Sequence, residues 1–480
     1  MSHSLRQPKA LLPLCTTEMW ERFGFYTIQT LLVFLIIKHF HQDDATASLI
    51  TGEYGALVFI SPAIGGYFAD KVLGFRYTIM MGCIFQFLGY LCLALLTLKT
   101  VYMGLSLVIL GNGFLKANIA SYLGAFYKEK DARRRAGFTY YYMGMNTGTF
   151  IGTLISGFVQ AQWSWQITFM VAAFGMLIAN IIFKNGFKRF GDVGLPTNKK
   201  LVFENTISFI GITTILCLTI TLASYFLLQH ARLGSSFLLG LAIITLTYLI
   251  YSAMQHAGKE RRNLVALTIF LVFATIFWAI FFEMFSAINL FMERAVDREI
   301  FGIIFPPASF ISLEPIYIVL IGFPLASLWK YLHRIQRDIS MTMKFVLALL
   351  TLAIAMKLLN VAIDFPNSNS LVYPAWMFLF FFLITLGEML LSPNLLSAVT
   401  ELSPKKITGF MMGVQYMAIG FGSAITGLLA QLAAIPQGLT DANVINVIYG
   451  HAFNTYALIC LISATVILLI SPLLSRLTTH

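Results

Sequence analysis

Residues 264–291 read LVALTIFLVFATIFWAIFFEMFSAINLF, 28 residues with one ionisable side chain, Glu283. A bilayer core is crossed by about 20 consecutive apolar residues in a helix. This stretch therefore reads as a membrane span with a carboxyl inside it. The same template fits fourteen segments along the 480-residue chain. Six lie near 14–38, 50–70, 77–98, 101–121, 137–160 and 166–184. Two lie near 205–229 and 234–256. The last six lie near 264–291, 309–330, 343–363, 373–394, 407–433 and 450–475. Between the first six and the middle pair, residues 184–204 form a polar linker with Lys184, Lys188, Arg189, Lys199 and Lys200. The expected fold is all-α and integral to a membrane. Its expected divisions are a six-helix bundle over 1–190, a linker with two further helices over 191–262, and a second six-helix bundle over 263–480. Six plus six is the pattern of transporters built from two pseudo-equivalent halves.

Composition agrees with a bilayer as solvent. Hydrophobic residues make up 58% of the chain and charged residues 11%, against about 25% charged in soluble domains. Mean hydropathy is +0.80. The formal net charge is +11, and its distribution follows the membrane. With the N-terminus placed in the cytoplasm, 24 of the 32 Lys and Arg fall in cytoplasmic segments. Five fall outside (Lys38, Lys99, Arg232, Arg294 and Arg298), and Arg22, Lys116 and Lys357 lie within helices. That bias is the positive-inside pattern. It predicts cytoplasmic N- and C-termini. The basic run KEKDARRR at 128–135 then reads as a loop facing anionic lipid, with no nucleic-acid partner. The polar start of the chain and the absence of a small-residue cleavage site predict that the first apolar segment stays as a helix. Cys15, Cys83, Cys92, Cys217 and Cys460 form no CxxC, so neither a disulfide framework nor a metal site is expected.

The informative residues are charges inside the spans, each costing about 2.5–3.5 kcal/mol at a helix centre on insertion scales. EMWERFGFY at 18–26 places Glu18, Glu21, Arg22, Phe25, Tyr26 and Gln29 on one helical stripe. The plainer alternative is an interfacial charge cluster near the cytoplasmic end. GNGFLKAN at 111–118 puts Asn112 and Lys116 one turn apart. YYYMGMNTGTF puts Tyr142 and Asn146 on one face of the fifth helix. Farther along come Glu283, Glu314 at the start of the eighth helix, and Glu388, followed by Pro393. Proline should loosen the backbone there. Lys357 has the position of a snorkelling lysine. Cations thus belong to the first bundle and anions to the second, a polarity suited to a zwitterionic substrate. In GYFADKVLGFR, residues Gly66, Asp70, Gly74 and Arg76 have the spacing of a tight turn with a structural, gate-like role.

These residues resemble a known group. EMWERFGFY is similar to the E-x-x-E-R-F-x-Y-Y pattern of the proton-dependent oligopeptide transporters, within the major facilitator superfamily. The GxxxDxxxGxR turn resembles the superfamily loop motif. YYYMGMNTGTF and GEMLLSPNLLSAVTELSPKK resemble the fifth- and tenth-helix patterns, and two extra middle helices are usual in bacterial members. The resemblance implies proton-coupled import of di- and tripeptides by alternating access, with the proton as coupling ion and no cofactor. It implies that Arg22 and Lys116 bind the peptide carboxylate and Tyr26 its backbone. It implies that Asn146 and Glu388 hold the amino terminus, and that Glu18, Glu21 and Lys116 form a proton-linked network, with Glu283 as a further coupling acid. Three departures stand out. Phe25 replaces a tyrosine, Glu283 is five residues after Trp278, one more than the family spacing, and SLEPIY carries Glu314 where the family has Asn. A second carboxyl near Glu388 implies a shared proton or a taste for cationic substrates, and Glu314 joins the candidate substrate residues.

A non-peptide cargo on the same fold, such as an amino acid or nitrate, is the first alternative. The sequence has no HExxH, GxSxG or clustered histidines, so an enzyme is not the expectation. A channel or receptor fits less well than two bundles rocking about a site. A monomer is the expected working unit.

Overall fold

The computed structural model describes residues 6–69, 73–128, 131, 133–195 and 206–478. Asp70, Lys71, Lys130, Lys199 and Lys200 lie outside these. The chain is a succession of long helices: α1 Leu11–Phe34, α2 Asp44–Phe68, α3 Gly74–Ala94, α4 Leu98–Gly124, α5 Arg133–Gln162, α6 Trp165–Asn185, α7 Thr206–Gln229 and α8 Ala231–Gln255. There follow α9 Gly258–Phe281, α10 Ala287–Ala295, α11 Leu313–Arg334, α12 Met341–Ala362, α13 Pro374–Leu402, α14 Thr408–Leu429, α15 Ala442–Leu469 and the short α16 Ser471–Thr478. A tight turn, Phe282–Phe285, joins α9 to α10 into one span. A two-residue antiparallel hairpin, Glu299–Ile300 with Ile303–Ile304, follows α10.

Among the described residues, thirteen spans are long and apolar enough to cross a membrane. The fourteenth segment read from the sequence is α5, a 30-residue helix whose Gly, Thr, Asn and Tyr make it too polar for that test. Its composition serves packing. Gly144, Gly148 and Gly152 form a four-residue repeat on one face. A Cβ at 144 would stand 3.2 Å from the Cys15 carbonyl oxygen and one at 152 would stand 2.8 Å from that of Phe23. At 148 it would overlap the Met19 carbonyl and crowd the Arg22 side chain. Small residues let α5 lie directly on the backbone of α1.

Two helices start earlier than apolarity suggests, because caps rather than hydrophobicity set their ends. The Asp43 carboxylate accepts the Thr46 N–H at 2.8 Å and the Thr46 hydroxyl at 2.9 Å. Those bonds hold its pKa below the usual value and start α2 near 44 rather than 50. Asp441 accepts the Asn443 N–H at 2.9 Å and starts α15 at 442 rather than 450. Pro393 does not interrupt α13, which runs unbroken from Pro374 to Leu402.

The chain folds as two compact units. The first holds Met1–Leu31 and Leu57–His230; the second holds Leu32–Ala56 and Ala231–His480. In the first, α3 packs along α4 and α6, and α7 packs on α4. In the second, α12 lies against α13 and α15, while α8 packs on α9 and α14. The middle pair is thus shared out, one helix to each unit. The hairpin tip, residues 32–56, is fastened within the second unit. Arg294 makes a two-pronged ion pair with Asp44, at 2.5 and 2.8 Å, and Asp44 also accepts the Ile435 N–H at 2.9 Å. The Ser286 hydroxyl bonds Ser48 at 2.9 Å, and the Ser423 hydroxyl donates to the Gly52 carbonyl at 3.0 Å.

The α1–α5 approach makes a sharp forecast. Gly148→Val should lower the melting temperature in detergent markedly, since overpacking costs about 1–3 kcal/mol and the backbone offers nowhere to yield. Melting at the parent temperature, measured by fluorescence-detected size exclusion after heating, would contradict the contact.

Candidate functional site

In the first unit the charged stripe of α1 is buried: Glu18 is 2% exposed, Glu21 0% and Arg22 5%. Four residues separate Glu18 from Arg22, the helical spacing for a side-chain pair. The Arg22 Nε lies 3.1 Å from Glu18 Oε1 and 2.6 Å from Glu21 Oε2. One guanidinium nitrogen therefore serves two carboxylates. Neighbouring helices supply part of what the cluster needs. Asn112 on α4 donates its amide to Glu21 Oε1 at 2.8 Å, and Tyr141 of α5 adjoins Glu18; among the described residues Glu18 Oε2, Glu21 Oε2 and Arg22 Nη2 are buried without a hydrogen-bond partner. Two carboxylates and one guanidinium leave one negative charge over.

Lys116 on α4 restores the balance at short range, since the charges of Glu18, Glu21 and Arg22 all act on it. Its contact differs from the expected one. Among the described residues no carboxylate lies within ion-pair distance of Lys116. Its ammonium sits 3.9 Å above the Phe59 ring and 5.1 Å above the Phe25 ring. The Arg22 guanidinium is 5.3 Å from that same Phe25 ring. Phe25, which departs from the tyrosine of the resembling pattern, is thus a shared aromatic face for two cations.

Tyr26 is partly buried on α1, its ring edge-on to Phe25 at 5.1 Å. Asn146 is half-buried, and its amide donates to the Tyr142 carbonyl one turn back at 2.9 Å. It stands about 200° round α5 from Gly144 and Gly148, away from the face packed on α1. Arg76 is buried at the start of α3 and donates to the carbonyls of Val193 (2.9 Å) and Gly191 and to the Tyr122 hydroxyl (3.2 Å). It ties the turn before α3 to the segment after α6. Its loop partner Asp70 lies outside the described residues.

In the second unit the three acids occupy different settings. Glu283 is fully buried in the turn where α9 tightens. Its carboxyl lies near the Ala287 N–H without a well-aligned hydrogen bond. A tightened turn advances each residue by about 120° instead of 100°. The extra residue after Trp278 is therefore carried round in a segment that is not α-helical. Glu314 on α11 is 4% exposed, and its carboxyl adjoins that of Glu388 on α13. Two buried carboxyls side by side disfavour ionising both. Beyond Pro393, Asn394 bonds back to the Leu390 carbonyl at 2.7 Å and receives the Lys344 ammonium at 3.0 Å, which steadies α13 past the proline. Lys357 does more than snorkel: it donates to Asn360 at 2.8 Å and Asn454 at 2.9 Å, bridging α12 and α15. Among the described residues no cluster of His, Cys, Asp or Glu could hold a metal ion.

Sequence reading missed Tyr141, Phe59 and Glu53. Tyr141 adjoins Tyr142, and its phase on α5, one step from the Tyr142–Asn146 face, was the available signal. Glu53 on α2 is a carboxyl within an apolar run, the same signal that marked Glu283.

Comparison with known proteins places this geometry. A family model described as the POT family matches residues 76–447. The dipeptide and tripeptide permease A of Salmonella typhimurium is 29% identical over 483 aligned residues, which take in 99% of this chain and 94% of that protein. A crystal structure of the peptide transporter POT in complex with sulfate is 27% identical, with a TM-score of 0.85 over 98% of this chain and 96% of its own. A POT family transporter in complex with 5-aminolevulinic acid is 25% identical, with a TM-score of 0.83 over 98% and 97%.

Proposed function

We propose that this chain, which belongs to the POT family, imports di- and tripeptides together with protons across the bacterial inner membrane by alternating access. The observation that carries the reading is the segregation of charge. Arg22 and Lys116 are the intramembrane cations of the first unit, and Glu283, Glu314 and Glu388 are intramembrane acids of the second. A peptide carries a carboxylate at one end and an ammonium at the other. Arg22 and Lys116 take the carboxylate, and Tyr26 steadies the peptide backbone. Asn146, Glu314 and Glu388 take the amino terminus.

Proton coupling rests on a competition. Arg22 lies within ion-pair distance of Glu18 and Glu21 through one nitrogen. A substrate carboxylate that draws Arg22 or Lys116 toward itself weakens that pairing. A buried carboxylate deprived of its cation takes up a proton. Substrate binding and proton binding therefore act on the same charges. Glu283 is a second coupling acid on the other unit. The termini face the cytoplasm in this reading, in line with the loop charge bias, and one chain carries every group required, so a monomer suffices.

A second reading keeps the fold and changes the cargo to a small zwitterion such as an amino acid. Glu314 in place of an amide and Phe25 in place of a tyrosine favour it, as does a structural neighbour bound to 5-aminolevulinic acid.

Uptake of labelled dialanine into proteoliposomes, with and without an inward proton gradient, separates the two readings. Accumulation should follow the gradient and fall by roughly tenfold or more in Lys116→Ala. No uptake by demonstrably folded protein would leave the fold standing and shift the cargo to a non-peptide. Competition by lysine-containing peptides tests Glu314 separately. In Glu314→Asn their advantage over neutral peptides should shrink, and an unchanged ranking would contradict a role for that carboxyl in selectivity.

A further inference from the structure

Glu53 lies in the apolar run of α2 and is 1% exposed. Both its carboxyl oxygens are buried, and neither has a hydrogen-bond partner among the described residues. The carboxyl fills a notch in α8. The three atoms nearest to where a Cβ on Gly234 would stand are Oε1, Cδ and Oε2 of Glu53, and that Cβ would overlap the carboxyl. Any residue other than glycine at 234 would evict it.

Among the described residues, the elements packed around residues 44–56 bring Glu53 no countercharge. On α2 itself Asp44 is taken by Arg294. On α8 the one charged residue, Arg232, is exposed. Helix α14, which meets α2 at Gly52, Ser423 and Gly427, carries no Asp, Glu, Lys, Arg or His. The segment that supplies Ser286 carries Glu283, itself an acid, and Glu293, which pairs with Lys38 at 2.8 Å. A carboxylate in such surroundings is neutralised by a proton rather than left charged.

We propose that Glu53 is a proton-binding site of the transport cycle, separate from the carboxylates of α1, and that α8 is the wall that keeps it dry. This rests on the proton-coupled reading above. Glu53 belongs to residues 32–56, the part of α1 and α2 fastened within the second unit by Asp44–Arg294, Ser48–Ser286 and Gly52–Ser423. Alternating access requires such contacts to part and re-form. Parting lifts the carboxyl from Gly234, admits water and releases its proton. Docking requires the proton back on the carboxylate, because no partner awaits the charged form. The second unit then carries a proton that returns with each docking, and one of the two extra helices gains a task.

The test uses Glu53→Gln, a neutral isostere, in full-length protein reconstituted in lipid. Labelled dialanine is followed in two assays, gradient-driven accumulation and gradient-free exchange against internal dialanine. Infrared difference spectra between acid and alkaline pH report the C=O stretch of protonated carboxyl groups. Glu53→Gln should melt like the parent and keep exchange. It should lose most gradient-driven accumulation and lack one protonated-carboxyl band that the parent shows. Parent-like accumulation, an unchanged infrared band, or loss of exchange together with accumulation in stable protein would each overturn the proposal. If the parent itself ignores the gradient, the coupling reading fails instead, and the infrared band alone decides whether Glu53 holds a proton. Gly234→Ala should evict the carboxyl and remove the same band; its persistence would contradict α8 as the wall.

Discussion

One guanidinium nitrogen between two carboxylates, inside a bundle of apolar helices, organises the first unit. Removing one partner of a buried charge pair costs about 3–5 kcal/mol, because the other is left uncompensated. Arg22, Glu18 and Glu21 therefore hold one another in place, and the helices around them supply part of what the trio lacks. Asn112 from α4 bonds Oε1 of Glu21, and Tyr141 from α5 adjoins Glu18. The glycine strip brings α5 onto α1, with Gly148 against the Arg22 side chain. Lys116 supplies the remaining charge from above two phenyl rings. Among the described residues no carboxylate lies within ion-pair distance of its ammonium, and on the proposed function that leaves it for an anionic substrate.

The second unit handles its acids differently. Glu314 and Glu388 adjoin each other, an arrangement that disfavours ionising both. Glu283 sits in a turn that leaves the α-helical path. Glu53 faces a glycine. None of the three arrangements contains a cation, whereas every acid of the α1 stripe has one. On the proposed function, one unit takes carboxylates and the other ammonium groups and protons. The ion pair of Asp44 with Arg294 shows that the second unit can pair charges where its helices end.

Much of this was legible in the sequence. The apolar spans and the charged face of α1 follow from periodicity, since a helix repeats every 3.6 residues whatever it packs against. Partner choice is not periodic. Arg22 can reach Glu18 by spacing, but that Glu21 shares the same nitrogen, and that Lys116 turns to Phe59, depends on how α2 and α4 approach α1. Helix starts at Asp44 and Ala442 were hidden because caps act through one polar side chain and leave hydropathy unchanged. Helix α5 was legible at 137–160 even though its glycines, which serve contact, make it the least apolar of the spans. Pro393 was expected to loosen the backbone, yet α13 runs through it unbroken, because a helix that packs on its neighbours can lose one hydrogen bond and continue. Glu53 was overlooked although its setting, a carboxyl in an apolar run, is that of Glu283.

The central claim is that substrate and proton act on the same α1 charges. Calorimetry of dialanine binding to purified protein, repeated at one pH in buffers of different ionisation enthalpy, measures the protons exchanged on binding. The binding heat should vary with buffer, and that variation should be lost in Glu21→Gln with binding retained. A heat independent of buffer in the parent protein would contradict it.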